Sequence, residues 1–436
     1  MKGRKAQAMR QLETAGLIYA AAMGAVYFLY FGAGGYVNLS RAKRAMYFCL
    51  TGGYLALTAL LAAYALGVGA IALRDLRAGL KPVRLPVLLL LGYLICTALS
   101  CVLSPYARRT LLGCTRDEGL LTIALYVLST VCLAVFCRPR RWLLWVLGAA
   151  VLAQSVLVLV QLAGANPLGL YPEGDSFYTT GEMFAGGVGN IDLLGAWFCA
   201  AIPILAVGTF RGKGNLRFLL LIPLAAAVWA CLRVHVLASF VGIIGGLLLA
   251  APFALRLDRK GVLRYYIVLA LLSLAALIAC YLLPRAGMLH RILHGELDPG
   301  FGSGRVYIWR EVLARCRGRW LFGWGPDTLA LADIPPFTRW DPDLGVTVTA
   351  AIDTAHSEYL NILYHQGAIA LGCYLAALAV SLYRAAGAAK TSDGCAILGA
   401  AVLCYAFAAM FGISQLCASP ALWLSLGLLL GQLREA

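Results

Sequence analysis

Residues 355–372 read AHSEYLNILYHQGAIALG, an apolar helical run that opens on His356, Ser357 and Glu358. Ionisable groups at membrane depth are costly, so they mark function or a wet cavity. Histidine is the side chain that serves as general base near neutral pH, and a positioned base contributes ~10²–10⁴-fold in rate. Upstream, 302–329 read GSGRVYIWREVLARCRGRWLFGWGPDTL. There Arg305 follows Gly302, Ser303 and Gly304, and glycines let a backbone or a phosphate come close. The 285–357 segment holds eight arginines, at 285, 291, 305, 310, 315, 317, 319 and 339, and no lysine. A guanidinium clamps phosphate oxygens bidentately and stays charged. Metal chemistry has weaker candidates. Asp341-Pro-Asp343 is the nearest approach to a paired-carboxylate motif. His290 and His294 have metal-capable i, i+4 spacing near Glu296, but no third ligand follows at firm spacing and Gly295 interrupts the helix. Neither a metal nor a cofactor is expected.

The elements that must position these groups follow from composition. Hydrophobic residues make up 61% of the 436 and charged residues 13%, far from a soluble globular mix. Twelve apolar runs approach or exceed the length needed to cross a bilayer: roughly 15–33, 46–71, 85–104, 119–137, 142–163, 190–210, 217–232, 234–255, 264–284, 358–383, 395–416 and 418–433. The expected fold is an all-α polytopic membrane protein with one long extracytoplasmic loop. One integrated membrane domain is divided into helices one to nine (1–284), the loop (285–357) and helices ten to twelve (358–436). No cleavage pattern follows the first apolar run, so a signal peptide is not expected.

Basic residues orient the chain. With Lys2, Arg4, Lys5 and Arg10 inside, the loops at 74–84, 138–141, 211–217, 256–264 and 384–390 are cytoplasmic, as is the C-terminus. Six of the seven lysines fall on that side, Lys43 in RAKR (41–44) being the exception. The net charge of +16 is read as two contributions: an inner one from topology, and an outer bias toward arginine. The fourteen cysteines suggest neither a disulfide framework nor a thiolate site, and most lie in the spans. No nucleic-acid-binding module is present.

Within the loop, a helix from Arg305 to about Arg317 puts Arg305, Trp309 and Val312 on one face and pairs Glu311 with Arg315. Asp353 and Thr354 are candidate caps that put His356 in the first turn of the tenth span, where the helix dipole favours neutral imidazole. His365, nine residues on, lies on the opposite face and is expected to hydrogen-bond between helices. On helix physics alone two readings stay open: the triplet caps the helix at the interface, or it lines a wet cavity. For most loop arginines, contact with phospholipid headgroups is an equal alternative. The 164–190 stretch has no basic residue and offers Tyr171, Asp175, Tyr178, Glu182 and Asn190 to sugar hydroxyls and rings.

Together GSGRVYIWREVL, LFGWGPDTL and AHSEYLNILYHQGAIALG resemble the O-antigen ligase and polysaccharide polymerase superfamily of bacterial membrane proteins. His356, Ser357 and Gly367 fit its His-Asn/Ser, nine-residue, Gly spacing, and Ala370 departs from the final position. Arg305 fits its Arg-x-x-x-Leu element with Trp309 in place of Leu, and GGVGNIDLLGAWF (186–198) is similar to its G-T-x-G-N-x-N segment with Asp192 in place of Asn. Motifs cover about 180–372. The family's Ser-Arg element falls on apolar Val236 and Leu237, which leaves Arg233, one turn away, or His235 to supply its charge.

The resemblance implies a GT-C-like architecture of about twelve transmembrane helices. It also implies a metal-independent, inverting transfer of a glycan from an undecaprenyl-diphosphate carrier to a glycan, lipid or protein acceptor at the outer face of the cytoplasmic membrane. It makes His356 and Arg305 the catalytic candidates, and Arg233, Arg310, Glu358, Ser357, Asn190 and Tyr307 the substrate-binding ones. A transporter or flippase of lipid-linked oligosaccharides is the alternative. That class places charge at mid-membrane on broken helices and often repeats its halves, whereas here the polar groups concentrate in one outer loop.

Overall fold

A computed structural model of the protein describes residues 2–172, 183–341 and 346–435. It is 73% helical. Its strands form two hairpins, β1 (Phe184–Ala185) with β2 (Gly189–Asn190) and β3 (Phe337–Asp341) with β4 (Val346–Ala350). Twelve apolar helices account for the twelve runs: α1 Lys2–Ala21, α2 Leu39–Gly67, α3 Arg84–Leu103, α4 Leu120–Phe136, α5 Trp142–Leu162, α6 Ile191–Arg211, α7 Leu221–Val234, α8 Leu237–Ala254, α9 Arg259–Leu282, α10 Glu358–Ala388, α11 Asp393–Ala408 and α12 Pro420–Leu433. Among the described residues, nine are long and apolar enough to cross a membrane, counting their helical extensions, while α4, α11 and α12 are shorter. This is a multi-pass, all-α membrane protein.

Side-chain size and periodicity explain who packs where. α6 is apolar all round and sits at the centre, with Trp197 and Phe198 fully enclosed. α8 and α11 pack on it and on each other; α10 lies along α3, and α12 along α4. Small residues make the close crossings: at Gly246 and Gly242 of α8 an added Cβ would meet Cys404 and Ala408 of α11 at 2.5 and 2.7 Å. α9 buries no residue and presents Leu263, Ile267, Leu271 and Leu274 outward, a surface suited to lipid.

Alternate loops meet at opposite ends. At one end Arg140 pairs with Glu13, Arg138 with Glu435, and Arg211 and Arg256 with Asp393, while Arg434 donates to the Gly79 carbonyl and Arg384 to that of Pro82. At the other end Arg44 pairs with Asp117, Arg116 with Asp353, and Ser104 donates to Trp324. Sorted along the sequence by these two sets, the described residues give the first end 21 Lys and Arg against 5 Asp and Glu, and the second end 15 against 11. Most of the positive surplus among them therefore belongs to the first end, and carboxylates offset most of the charge of the arginine-rich end.

Two local features lie outside the twelve runs. RAKR (41–44) lies in the first turns of α2, and Lys43 is fully buried, donating to the Tyr27 carbonyl at 2.6 Å with its ammonium 4.8 Å from the Tyr27 ring. Phe337–Asp341 and Val346–Ala350 pair as β3 and β4, and the second strand, VTVTA, has the period-two pattern of a strand.

Candidate active site

Backbone breaks build the site. The loop helix is assigned as Phe301–Arg315, but Gly302, Ser303 and Gly304 have φ of 61°, 60° and 85°, so regular helix begins at Arg305. At Gly304 a Cβ would meet the Phe337 ring at 2.7 Å. In α10, Gly367 has φ 88° and interrupts the helix. That break frees backbone groups, and the LFGWG turn takes them up: Trp324 N donates to Tyr364 O at 2.9 Å, Gly325 N to His365 O at 2.8 Å, and Ala368 N to Trp320 O at 2.7 Å. Contact is too close for any side chain. A Cβ at Gly367 would lie 2.2 Å from Leu321 O, and one at Gly323 would lie 2.4 Å from His365 O. The glycines of the two sequence elements thus lock the loop onto α10.

His356 sits just before α10 in a left-handed conformation, φ 47°. Its neighbours enforce this. Asn361 accepts from Ala355 N and donates to Thr354 Oγ1, both at 2.8 Å, and Trp309 Nε1 donates to Ala355 O at 2.9 Å. Ser357, not Asp353 or Thr354, is the N-cap, accepting from Leu360 N at 3.5 Å. Strained backbone held by so many contacts is characteristic of functional positions. The imidazole makes no hydrogen bond among the described residues.

Arg305 faces it from the loop helix. Its Nη1 donates to Gly302 O at 2.8 Å and its Nη2 to Phe411 O at 3.2 Å, while Nε is buried without a partner. Among the described residues no carboxylate lies within ion-pair distance of it. Trp309, one turn on, stacks on Phe411, so Arg305 and Trp309 do share a face. Burial lowers the His356 pKa from 6.5 to about 4; the Arg305 charge pushes the same way, Asp192 opposes it, then Arg116 lowers and Asp353 raises it. Burial and the neighbouring cation thus both favour the neutral imidazole. Burial also lowers the Arg305 pKa, and Asp192 raises it. Hence Arg305, His356, Asp192 and Arg116 share one electrostatic neighbourhood.

No protein-family model matches the chain, and no curated protein matches it.

Arg116 was not singled out from sequence, yet it is firmly placed. Its Nε and Nη2 grip both Asp353 oxygens at 2.9 and 2.8 Å, and Nη1 donates to Gln415 at 3.3 Å. Asp327, of the GWGPD turn, holds the loop that carries it, accepting from Thr115 N, Thr115 Oγ1 and Arg116 N at 3.0, 3.1 and 2.9 Å. The available signal was position: 105–118 is one of the few polar loops on the same side as His356.

The other candidates scatter. Asn190 caps α6, accepting from Asp192 N at 3.0 Å. Glu358 points inward and accepts from Tyr374 OH at 2.9 Å, with no arginine partner among the described residues. Beneath the triplet it lines a polar cavity of about 40 Å³ with Glu118, His365 and Gln366, space for a few waters at ~10–15 Å³ each. Tyr307 donates to Pro335 O at 3.1 Å and packs on Phe337, away from Arg305. Arg310 is exposed, and so is Arg233, which ends α7 beside His235; neither forms a bond among the described residues. The His365 ring, expected to bond between helices, leaves Nε2 unpartnered, and its carbonyl makes the interhelical bond instead, from Ser100 Oγ at 2.6 Å. His290 and His294 lie 4.1 Å apart, ring centre to ring centre, with Nδ1 atoms facing Cys280 O and His290 O. Glu311 and Arg315 pair at 2.7 Å. Asp175, Tyr178, Glu182 and Asp343 lie outside the described residues.

Proposed function

We propose that this chain is a membrane glycosyltransferase of the O-antigen ligase or polysaccharide polymerase type. It moves a glycan from an undecaprenyl-diphosphate carrier to a glycan, lipid or protein acceptor at the outer face of the cytoplasmic membrane. All twelve apolar helices cross, in a GT-C-like arrangement, and the strongly basic end, with both termini, faces the cytoplasm. The observation that carries the reading is the pairing of Arg305, a half-buried cation with an unpartnered Nε and no carboxylate partner, with His356, an unbonded imidazole held neutral. As the acceptor oxygen bonds to the anomeric carbon, the sugar–phosphate bond breaks and the diphosphate leaves with its electrons. Arg305 stabilises that charge, and His356 takes the hydroxyl proton. Anion binding at Arg305 also raises the basicity of His356, so the base becomes competent when the donor is in place.

The test is the undecaprenyl-diphosphate pool of a strain lacking the protein. Finished polymer held on the carrier indicates a ligase, and single repeat units a polymerase. No accumulation refutes the reading, and material trapped on the cytoplasmic face supports a transporter instead. Complementation with Arg305→Lys should fail although charge is kept, because an ammonium lacks the planar fork. The exposed Arg317→Lys should complement.

A further inference from the structure

At the end opposite His356, a cavity of about 780 Å³ opens between α1, α5, α6 and α12, within the range of ligand sites. Its two halves differ in chemistry. The deep part is apolar, walled by Gly24, Phe28, Leu144 and Trp197; the mouth carries Arg140, Arg141, Lys213, Arg217, Arg256 and Lys390, with Arg211 behind them. Only Asp393 and Glu435 offset these seven cations among the lining residues. Both carboxylates are already engaged: Asp393 is shared by Arg141, Arg211 and Arg256, and Glu435 pairs with Arg138. Arg217 Nε is buried without a partner, and Lys213 and Lys390 form no bond among the described residues.

We infer that this cavity binds one phosphate-headed lipid, its chain against Phe28 and Trp197 and its phosphate at Lys213, Arg217 and Lys390. The charge balance decides the occupant. A neutral or zwitterionic lipid would leave a surplus of five positive charges around one mouth uncompensated, whereas an anionic headgroup accepts charge-assisted bonds from several donors. An apolar metabolite would fit the walls and not the mouth. Free phosphate would fit the mouth and leave the walls wet. The inference does not depend on the transferase reading, since the site lies at the other end of the molecule from His356.

Native mass spectrometry of the purified full-length protein in detergent tests this, with phosphatidylglycerol, phosphatidylethanolamine and undecaprenyl phosphate titrated separately. One phosphatidylglycerol or one undecaprenyl phosphate should be retained, and competition between the two tells membrane phospholipid from polyprenyl carrier. Phosphatidylethanolamine should bind at least ~10-fold more weakly. The triple variant Lys213→Gln, Arg217→Gln, Lys390→Gln should lose about a hundredfold in affinity, three basic residues at ~1 kcal/mol each. Ala21→Trp, which obstructs the apolar half and leaves every cation in place, should lose the lipid as well, and Arg317→Gln, at the other end of the molecule, should not. Equal retention of all three lipids, or unchanged retention in both cavity variants with thermal melting intact, overturns the assignment.

Discussion

Removing the Arg305 charge should raise the pKa of His356, and the size of the change follows from what surrounds the ring. Burial is the largest influence lowering it from 6.5 to about 4, and Arg305 comes second. In Arg305→Gln the burial persists, so the new value must lie between these limits. A charge at close range moves a pKa by ~1–3 units, and the lower end suits a partly exposed ring, giving about 5. Stability follows the same proton. The folded-state pKa lies below the unfolded one, so His356 costs nothing above pH 6.5. Between 6.5 and 4 the unfolded chain takes up a proton that the folded one refuses, and the cost grows to ~3 kcal/mol. The Arg305→Gln variant should recover ~1.4 kcal/mol of this below pH 4. Carbon-13 histidine NMR of the detergent-solubilised protein reads the ring directly. The chain has five histidines, and His356→Asn assigns the resonance. Pyrophosphate added to the wild type should move the midpoint upward, as the mutation does. A wild-type midpoint near 6.5, or one that Arg305→Gln leaves in place, refutes both the burial argument and the coupling.

Gly367→Ala combines a left-handed φ with a Cβ aimed at the Leu321 carbonyl, and should cost ~3 kcal/mol or more, read as a lower melting temperature and loss of loop protection in hydrogen exchange. Asp327→Ala strands two backbone N–H donors of the 113–116 loop, costing ~1–3 kcal/mol each where buried. Its activity loss should match that of Arg116→Ala, and a full-activity Asp327→Ala would separate the two. Ser303→Cys, at an exposed position, should react with impermeant maleimide in intact spheroplasts; labelling only after permeabilisation would reverse the proposed orientation.

The legible parts of this fold depend on short-range physics. Hydropathy locates the apolar helices because each long apolar run carries its own signal. The breaks at Gly302–Gly304 and the pairing of Glu311 with Arg315 are likewise local. His356 and Arg305 stand out because ionisable groups beside apolar helices are rare. What could not be read is whatever depends on a partner far along the chain. Arg116 meets Asp353 across 237 residues, and Asp327 holds Thr115 across 212; neither spacing has a pattern. Asn361 lies within a helical run with no signal of its own, and its side chain sets the backbone beside His356. The charge of Lys43 argues for exposure, and the Tyr27 carbonyl and ring override that.

The arginine bias of the long loop has a structural cause that stands apart from catalysis. Arg315 donates to the Ala332, Asp333 and Glu311 carbonyls and to the Glu311 carboxylate. Arg319 donates to Leu103 O at 2.7 Å and lies over the Trp324 ring, and Arg291 pairs with Glu296 while lying over Phe301. Each tie uses several donors in fixed directions together with a flat face, which a guanidinium has and an ammonium lacks. Irregular backbone between helices leaves carbonyls that need such donors, so a long ordered loop selects arginine wherever one side chain must satisfy several acceptors. Arg291, Arg305, Arg315 and Arg319 each find a carbonyl or a counter-charge in this way. Arg305 finds only carbonyls and, of these four, it alone keeps a buried Nε without a partner. It is therefore the position among them where an external anion can complete the coordination.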